Sequence, residues 1–162
     1  LAARDDFPER RILFTGVNAD PGNRSVAGVI GDYVAARPER AALRASLGMR
    51  LYLAALKHAA VVVGNSSSGL IEAPALAVPT VNIGDRQRGR LKVDSIIDCP
   101  EDRAAIASAI RRACDPDFRA GIDPARNPYG VPGAARRIRE ILRAIPLEGL
   151  LLKRFHDLRV AS

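Results

Sequence analysis

The stretch that most restricts the fold is residues 60–64, Ala-Val-Val-Val-Gly, followed at once by Asn65-Ser66-Ser67-Ser68-Gly69. Consecutive β-branched residues favour an extended strand, and a strand without polar alternation has no face for water. Such a strand belongs inside a sheet covered on both sides, which means parallel strands joined by helical crossovers. The glycine and polar run after it mark the turn into a helix over residues 70–76.

The rest of the chain repeats this alternation. Residues 10–16 (RRILFTG) read as a strand, then turn chemistry at 18–23, then a helix over 25–36. A short strand is expected at 41–47 and a helix at 50–58, where Leu51, Leu53, Ala54 and Leu56 fall at helical spacing. Residues 79–83 and 95–99 read as two more strands, and 101–114, 132–144 and 147–156 as helices. Residues 115–133 read as a long connection carrying Phe118, Ile122 and Tyr129. The fold class is therefore α/β, a Rossmann-like parallel sheet. With 48% hydrophobic but only 4% aromatic residues and no Trp, the core has to be built from Ala, Val, Ile and Leu.

Charge, cysteines and hydropathy narrow the function classes. The net charge is +7 with an isoelectric point near 10.2. The basic residues are spread through helices such as 103–112 and 136–143 rather than massed in one block. Aromatic rings to stack on bases are scarce, so nucleic acid is not the expected partner. Cys99 and Cys114 stand 15 residues apart with no CxxC pattern, matching neither a disulfide framework nor a metal site. They read as reduced, buried thiols of a cytoplasmic protein. No apolar run approaches the roughly 20 residues of a membrane span.

In an open parallel sheet, ligands bind beyond the carboxyl ends of the strands. After residues 60–64 come Asn65, Ser66, Ser67, Ser68 and Gly69 at a helix start. Unpaired N–H groups and the positive end of the helix dipole there suit a phosphate; an ordinary serine cap looks the same in sequence. Glu72, seven residues after Asn65, is badly placed for phosphate but can accept from a ribose diol; alternatively it faces solvent. After residues 79–83 comes Gly84-Asp85-Arg86-Gln87-Arg88-Gly89-Arg90, three arginines in five residues, which reads as a phosphate clamp or a solvated basic loop. Asn18 and Asp20 follow the first strand, as sugar or phosphate ligands or as plain turn residues.

The run from Val63 to Arg90 resembles the signature of hydrolysing UDP-N-acetylglucosamine 2-epimerases, in particular their sialic-acid branch. Residues 14–22 (FTGVNADPG), Ser46-Leu47-Gly48, Asn127-Pro128-Tyr129-Gly130 and the closing LLKRFHDL carry the same resemblance. It implies the C-terminal half of a glycosyltransferase-B-like two-domain fold. A Rossmann-like nucleotide-binding domain would cover residues 1–144 and a helical tail 145–162, with the N-terminal catalytic domain absent from this chain. The start at Leu1, with residues 4–10 reading as a linker, agrees with a piece of a longer enzyme.

By the same resemblance the ligand is a UDP-sugar. Asn18 would contact it, the backbone near Leu47 would hold uracil, Ser66 and Ser67 the diphosphate, Glu72 the ribose, and Arg86 would complete the site, with Asp20, Asn65, Ser68 and Gly69 counted among the substrate-binding residues. The family reaction eliminates UDP to give a 2-acetamidoglucal, which water converts to N-acetylmannosamine. Its acid and base lie in the other half, so no catalytic residue, no metal and no cofactor is expected here. His58 and His156 read as packing or surface groups. The family often forms dimers. Two departures stand out: Val131-Pro132 follows the Asn-Pro-Tyr-Gly motif, and Gly28 and Gly31 replace basic residues tied to feedback control in animal enzymes. Alternatives are the same fold acting on a di-N-acetylated or GDP-linked hexose, a glycosyltransferase, or a non-catalytic nucleotide-binding module.

Overall fold

The computed structural model describes residues 1–16, 23–130, 133–149 and 151. It divides into two compact units, Leu1–Tyr129 and Gly130–Ser162.

The first unit alternates strand and helix: β1 (Ile12–Thr15), α1 (Asn23–Ala35), β2 (Ala41–Arg44), α2 (Gly48–His58), β3 (Val62–Gly64), α3 (Ser68–Ala75), β4 (Thr80–Ile83), β5 (Ile96–Cys99), α4 (Arg103–Cys114) and the short α5 (Pro116–Ala120). Every strand expected from the sequence is present, and every pairing is parallel. β1 pairs with β2, and β3, β4 and β5 pair in that order. The architecture is the Rossmann-like parallel α/β arrangement expected; among the described residues the hydrogen bonding forms two parallel sheets.

Among the described residues, three small clusters make the core. Phe14, Tyr33 and Ala41 pack α1 on β1 and β2. Val81 and Ile97 meet Ala109, Ile110 and Ala113 of α4. Leu56, Ala73 and Val78 join α2 to α3. Aliphatic residues dominate, as the composition requires.

Two segments read as connections from sequence are built otherwise. Residues 4–10 do not form a free linker: Ala2–Asp6 is a 3-10 turn with Ala3 buried. The Asp6 carboxylate pairs with Arg103 of α4 at 2.8 Å. Asp5 accepts from Tyr33 Oη at 3.1 Å, and Arg40 donates to the Arg4 carbonyl at 3.1 Å. Within 115–133, α5 and a second 3-10 turn (Pro124–Arg126) form, each capped by an aspartate ahead of a proline. The thiols Cys99 and Cys114 are both free and half-buried, not fully buried as expected.

In the second unit α6 (Ala134–Ala144) has no buried residue, and Ile138, Ile141 and Leu142 are exposed along it. Residues 148–149 form a turn and residue 147 has no regular element, rather than the helix expected there; the remainder of that helix, His156 included, lies outside the described residues except Leu151. No helix among the described residues is long and apolar enough to cross a membrane.

Candidate functional site

The carboxyl ends of β3, β4 and β5 lie side by side, because the strands are parallel and paired in register. β3 ends at Gly64 and delivers Asn65, Ser66 and Ser67 to the start of α3. Ser66 and Asn65 are exposed there. Ser66 Oγ accepts the Ser68 N–H at 3.4 Å, a long local contact, and Ser67 stands at the helix N-cap without a side-chain capping bond. The turn into α3 thus sets the side-chain hydroxyls of Ser66 and Ser67 at the positive end of the helix.

Ser68 and Gly69 have packing partners. The Ser68 hydroxyl is hydrogen-bonded to Tyr52 Oη of α2. Gly69 is buried against β4: a Cβ there would stand 2.7 Å from Thr80 Cγ2, and Thr80 Oγ1 donates to the Gly69 carbonyl at 2.8 Å. Gly69→Ala forces that close helix–strand contact apart, at an expected cost of about 1–3 kcal/mol; a urea denaturation midpoint equal to wild type would contradict this packing role.

One turn on, Glu72 is half-buried, and its Oε2 is buried with no hydrogen-bond partner among the described residues. An orphaned carboxylate oxygen is costly unless something supplies a donor. Opposite, β4 leaves the sheet through Gly84, whose φ of +71° suits glycine. The charged loop that follows folds back onto the serine loop. Arg86 Nη1 donates to the Asn65 carbonyl at 3.2 Å, and Gln87 Nε2 donates to the same oxygen at 2.6 Å. Residues 21 and 22 positions apart in sequence therefore meet at one backbone atom.

Of the residues singled out in the sequence, Asn65, Ser66, Ser67 and Arg86 are brought together. Glu72 sits on the helix that follows, and Leu47 stands at the N-cap of α2, the helix that bonds Ser68. Asn18 and Asp20 lie outside the described residues. His58 is exposed in the last turn of α2. Among the described residues no group of histidine, cysteine, aspartate and glutamate side chains is arranged to hold a metal.

The sequence reading missed Gln87 and a network beside it. Buried Asn82 of β4 donates to Asp98 Oδ1 at 2.7 Å, and Lys92 pairs with the same carboxylate at 2.8 Å. Lys92 and Asp98 edge an open depression of about 640 Å³ between the ends of β4 and β5, bordered also by Gly84, Arg88 and Glu101. Burial pushes the Asp98 carboxyl up, but the hydrogen bonds from Lys92 and Asn82 and the Lys92 charge outweigh it and hold it below the ordinary range. A carboxyl depressed in the folded state adds stability above its unfolded pKa of about 4 and loses it as pH falls through the folded value. Because Asp98 is half exposed, Lys92→Met should cost no more than about 1 kcal/mol at neutral pH. Melting curves of the two proteins should converge in acid; a gap that widens on acidification would refute the assignment.

Burial, with the Asp98 charge added, raises the Cys99 thiol above its usual value. It therefore stays protonated at neutral pH.

The Asn-Pro-Tyr-Gly motif braces the back of α3. Asn127 Nδ2 donates to the Ile71 carbonyl at 3.0 Å, its Oδ1 accepts the Tyr129 N–H at 3.1 Å, and Tyr129 Oη donates to the Leu91 carbonyl at 3.1 Å.

The family profile described as UDP-N-acetylglucosamine 2-epimerase matches residues 1–143. The chain belongs to the UDP-N-acetylglucosamine 2-epimerase family. With membership comes the glycosyltransferase-B-like architecture, in which the parallel α/β arrangement seen here is a Rossmann-like half.

Among its relatives, the polysialic acid biosynthesis protein P7 of Escherichia coli is 35% identical over 136 residues, covering 82% of this chain and 34% of the relative. The GDP/UDP-N,N'-diacetylbacillosamine 2-epimerase (hydrolyzing) of Campylobacter jejuni is 38% identical over 98 residues, covering 60% and 26%. The UDP-N-acetylglucosamine 2-epimerase of Neisseria meningitidis is 42% identical over 69 residues, covering 43% and 18%. The chain thus matches about a third or less of the length of each of these relatives.

Proposed function

We propose that this chain is the UDP-holding half of a hydrolysing UDP-N-acetylglucosamine 2-epimerase, which converts UDP-N-acetylglucosamine and water to N-acetylmannosamine and UDP. The observation that carries the reading is the shared Asn65 carbonyl: Arg86 and Gln87 both donate to it, which sets a guanidinium beside the Ser66–Ser67 helix start. A guanidinium and a helix N-terminus converging on one spot suit a diphosphate. The orphaned Glu72 Oε2, one turn further along α3, is an acceptor suited to a ribose hydroxyl. Asn18, Asp20 and Leu47 complete the sugar and base contacts in this reading.

As UDP departs by elimination, negative charge grows on the leaving oxygens. This half stabilises it by fixed donors at the α3 start and Arg86. The acid and base belong to the other half, so residues 1–144 form the nucleotide domain, residues 145–162 its tail, and the chain alone is inactive. The complete enzyme acts as a cytoplasmic homodimer on small nucleotide-sugars, with neither a cofactor nor nucleic acid.

The test is product analysis with the complete enzyme. Free N-acetylmannosamine and UDP in equal amounts are expected from UDP-N-acetylglucosamine. A product still linked to the nucleotide would contradict the hydrolysing reading.

A second reading has specific support, since the Campylobacter jejuni relative carries a di-N-acetylated substrate in its name. In that reading the same nucleotide half serves a di-N-acetylated hexose. Turnover of UDP-N,N'-diacetylbacillosamine with none of UDP-N-acetylglucosamine would favour it.

A further inference from the structure

Gln87 sits between two outward-facing arginines, Arg86 and Arg88, yet its own side chain is almost wholly buried, at 3% exposure. Burial of one residue in the middle of a charged loop needs a cause. Its Nε2 donates to the Asn65 carbonyl at 2.6 Å, shorter than the 3.2 Å contact of Arg86 with the same oxygen. The amide orientation follows from chemistry: turned over, Oε1 would oppose a carbonyl oxygen, two acceptors face to face. A carbonyl oxygen has two lone pairs, so it can serve both donors.

The acceptor belongs to the residue immediately before Ser66, and α3 begins two residues later at Ser68. Fixing that carbonyl therefore fixes the path of the serine loop. It also fixes where the β4 loop stands against it, and with the loop the Arg86 guanidinium. Gln87 is neutral, so it locks the two loops together without adding a charge of its own to the site. Its Oε1 is buried without a partner among the described residues, so the contact to Asn65 is the polar interaction that holds the side chain inward.

We propose that Gln87 is a positioning residue for the nucleoside diphosphate, holding the Ser66–Ser67 turn and Arg86 in their binding geometry before the ligand arrives. The inference rests on the nucleotide-site reading above. Preorganisation of this kind acts on affinity for the group the loops hold, the diphosphate, and not on the base or the overall fold.

The test uses Gln87→Met and Gln87→Glu, which keep the side-chain volume and remove the donor. UDP is titrated by calorimetry, and uridine, which lacks phosphate, is followed by saturation-transfer NMR. UDP affinity should fall about 3- to 10-fold in both variants. Uridine binding should match wild type in both variants; the melting temperature should stay near wild type in Gln87→Met and fall in Gln87→Glu, whose carboxylate would be buried against a carbonyl oxygen. If wild type binds no UDP, the nucleotide-site reading itself falls and this inference with it. If wild type binds UDP and both variants bind it equally well, Gln87 does not position the loops and only this inference fails. Equal losses for UDP and uridine, or failure of both variants to fold, would make Gln87 a structural residue alone and overturn it.

Discussion

Ile110→Ala is expected to destabilise the protein by about 2–5 kcal/mol. Ile110 is buried on the inner face of α4, against Val81 and Ile97 of the central and edge strands. Its neighbours Ala109 and Ala113 are small and buried, so they cannot grow into the space left behind. The strands cannot move toward it either, since β4 is bonded on both sides, to β3 and β5. A cavity that cannot collapse puts the cost toward the upper end of the range. For a chain of 162 residues this corresponds to a melting temperature lower by roughly 4–20 °C. Ile138→Ala on the exposed face of α6 is the control, expected within about 0.5 kcal/mol of wild type. Equal losses at the two positions would mean that the core does not lie where α4 meets the sheet.

Arg86→Ala should weaken UDP binding about 10- to 100-fold, in keeping with the loss of a charge-assisted contact worth roughly 1.5–3 kcal/mol. Two effects combine. The guanidinium that would face the diphosphate is lost, and so is the 3.2 Å bond to the Asn65 carbonyl. Gln87 still holds that carbonyl, so the loop keeps its place and the melting temperature should change little for this exposed residue. Arg86→Lys should recover only part of the affinity, because an ammonium cannot grip phosphate and carbonyl with one planar fork. Binding unaffected by Arg86→Ala would remove the guanidinium from the site.

Much of the architecture is legible in the sequence because it is local. The run Val61-Val62-Val63-Gly64 can hardly be anything but a buried strand, and Asp102 ahead of α4 is a cap whose carboxylate accepts the Ala105 N–H at 2.8 Å. The short helices after α4 had a signal too: Asp115-Pro116 and Asp123-Pro124 each pair an N-cap aspartate with a proline at the first helical position. The split into two sheets had none, since strand neighbours are set by packing between distant segments. The first residues carry no periodicity and are tied by ion pairs across long separations, Asp6 to Arg103 above all.

The site divides in the same way. The serine loop and Arg86 stand out by residue type. Gln87 does not, because its burial comes from one bond to a backbone atom 22 residues away. The Lys92–Asp98–Asn82 network was invisible for the same reason, as the strand register that brings Asn82 opposite Asp98 is not written in either segment alone.

UDP bound at the start of α3 is the proposed role of this chain. It is tested most directly by calorimetric titration of the folded protein with UDP and, in parallel, GDP. Saturable UDP binding, micromolar to low millimolar, with GDP clearly weaker, is the result this account predicts. No binding of either nucleotide by a protein that melts cooperatively would contradict it.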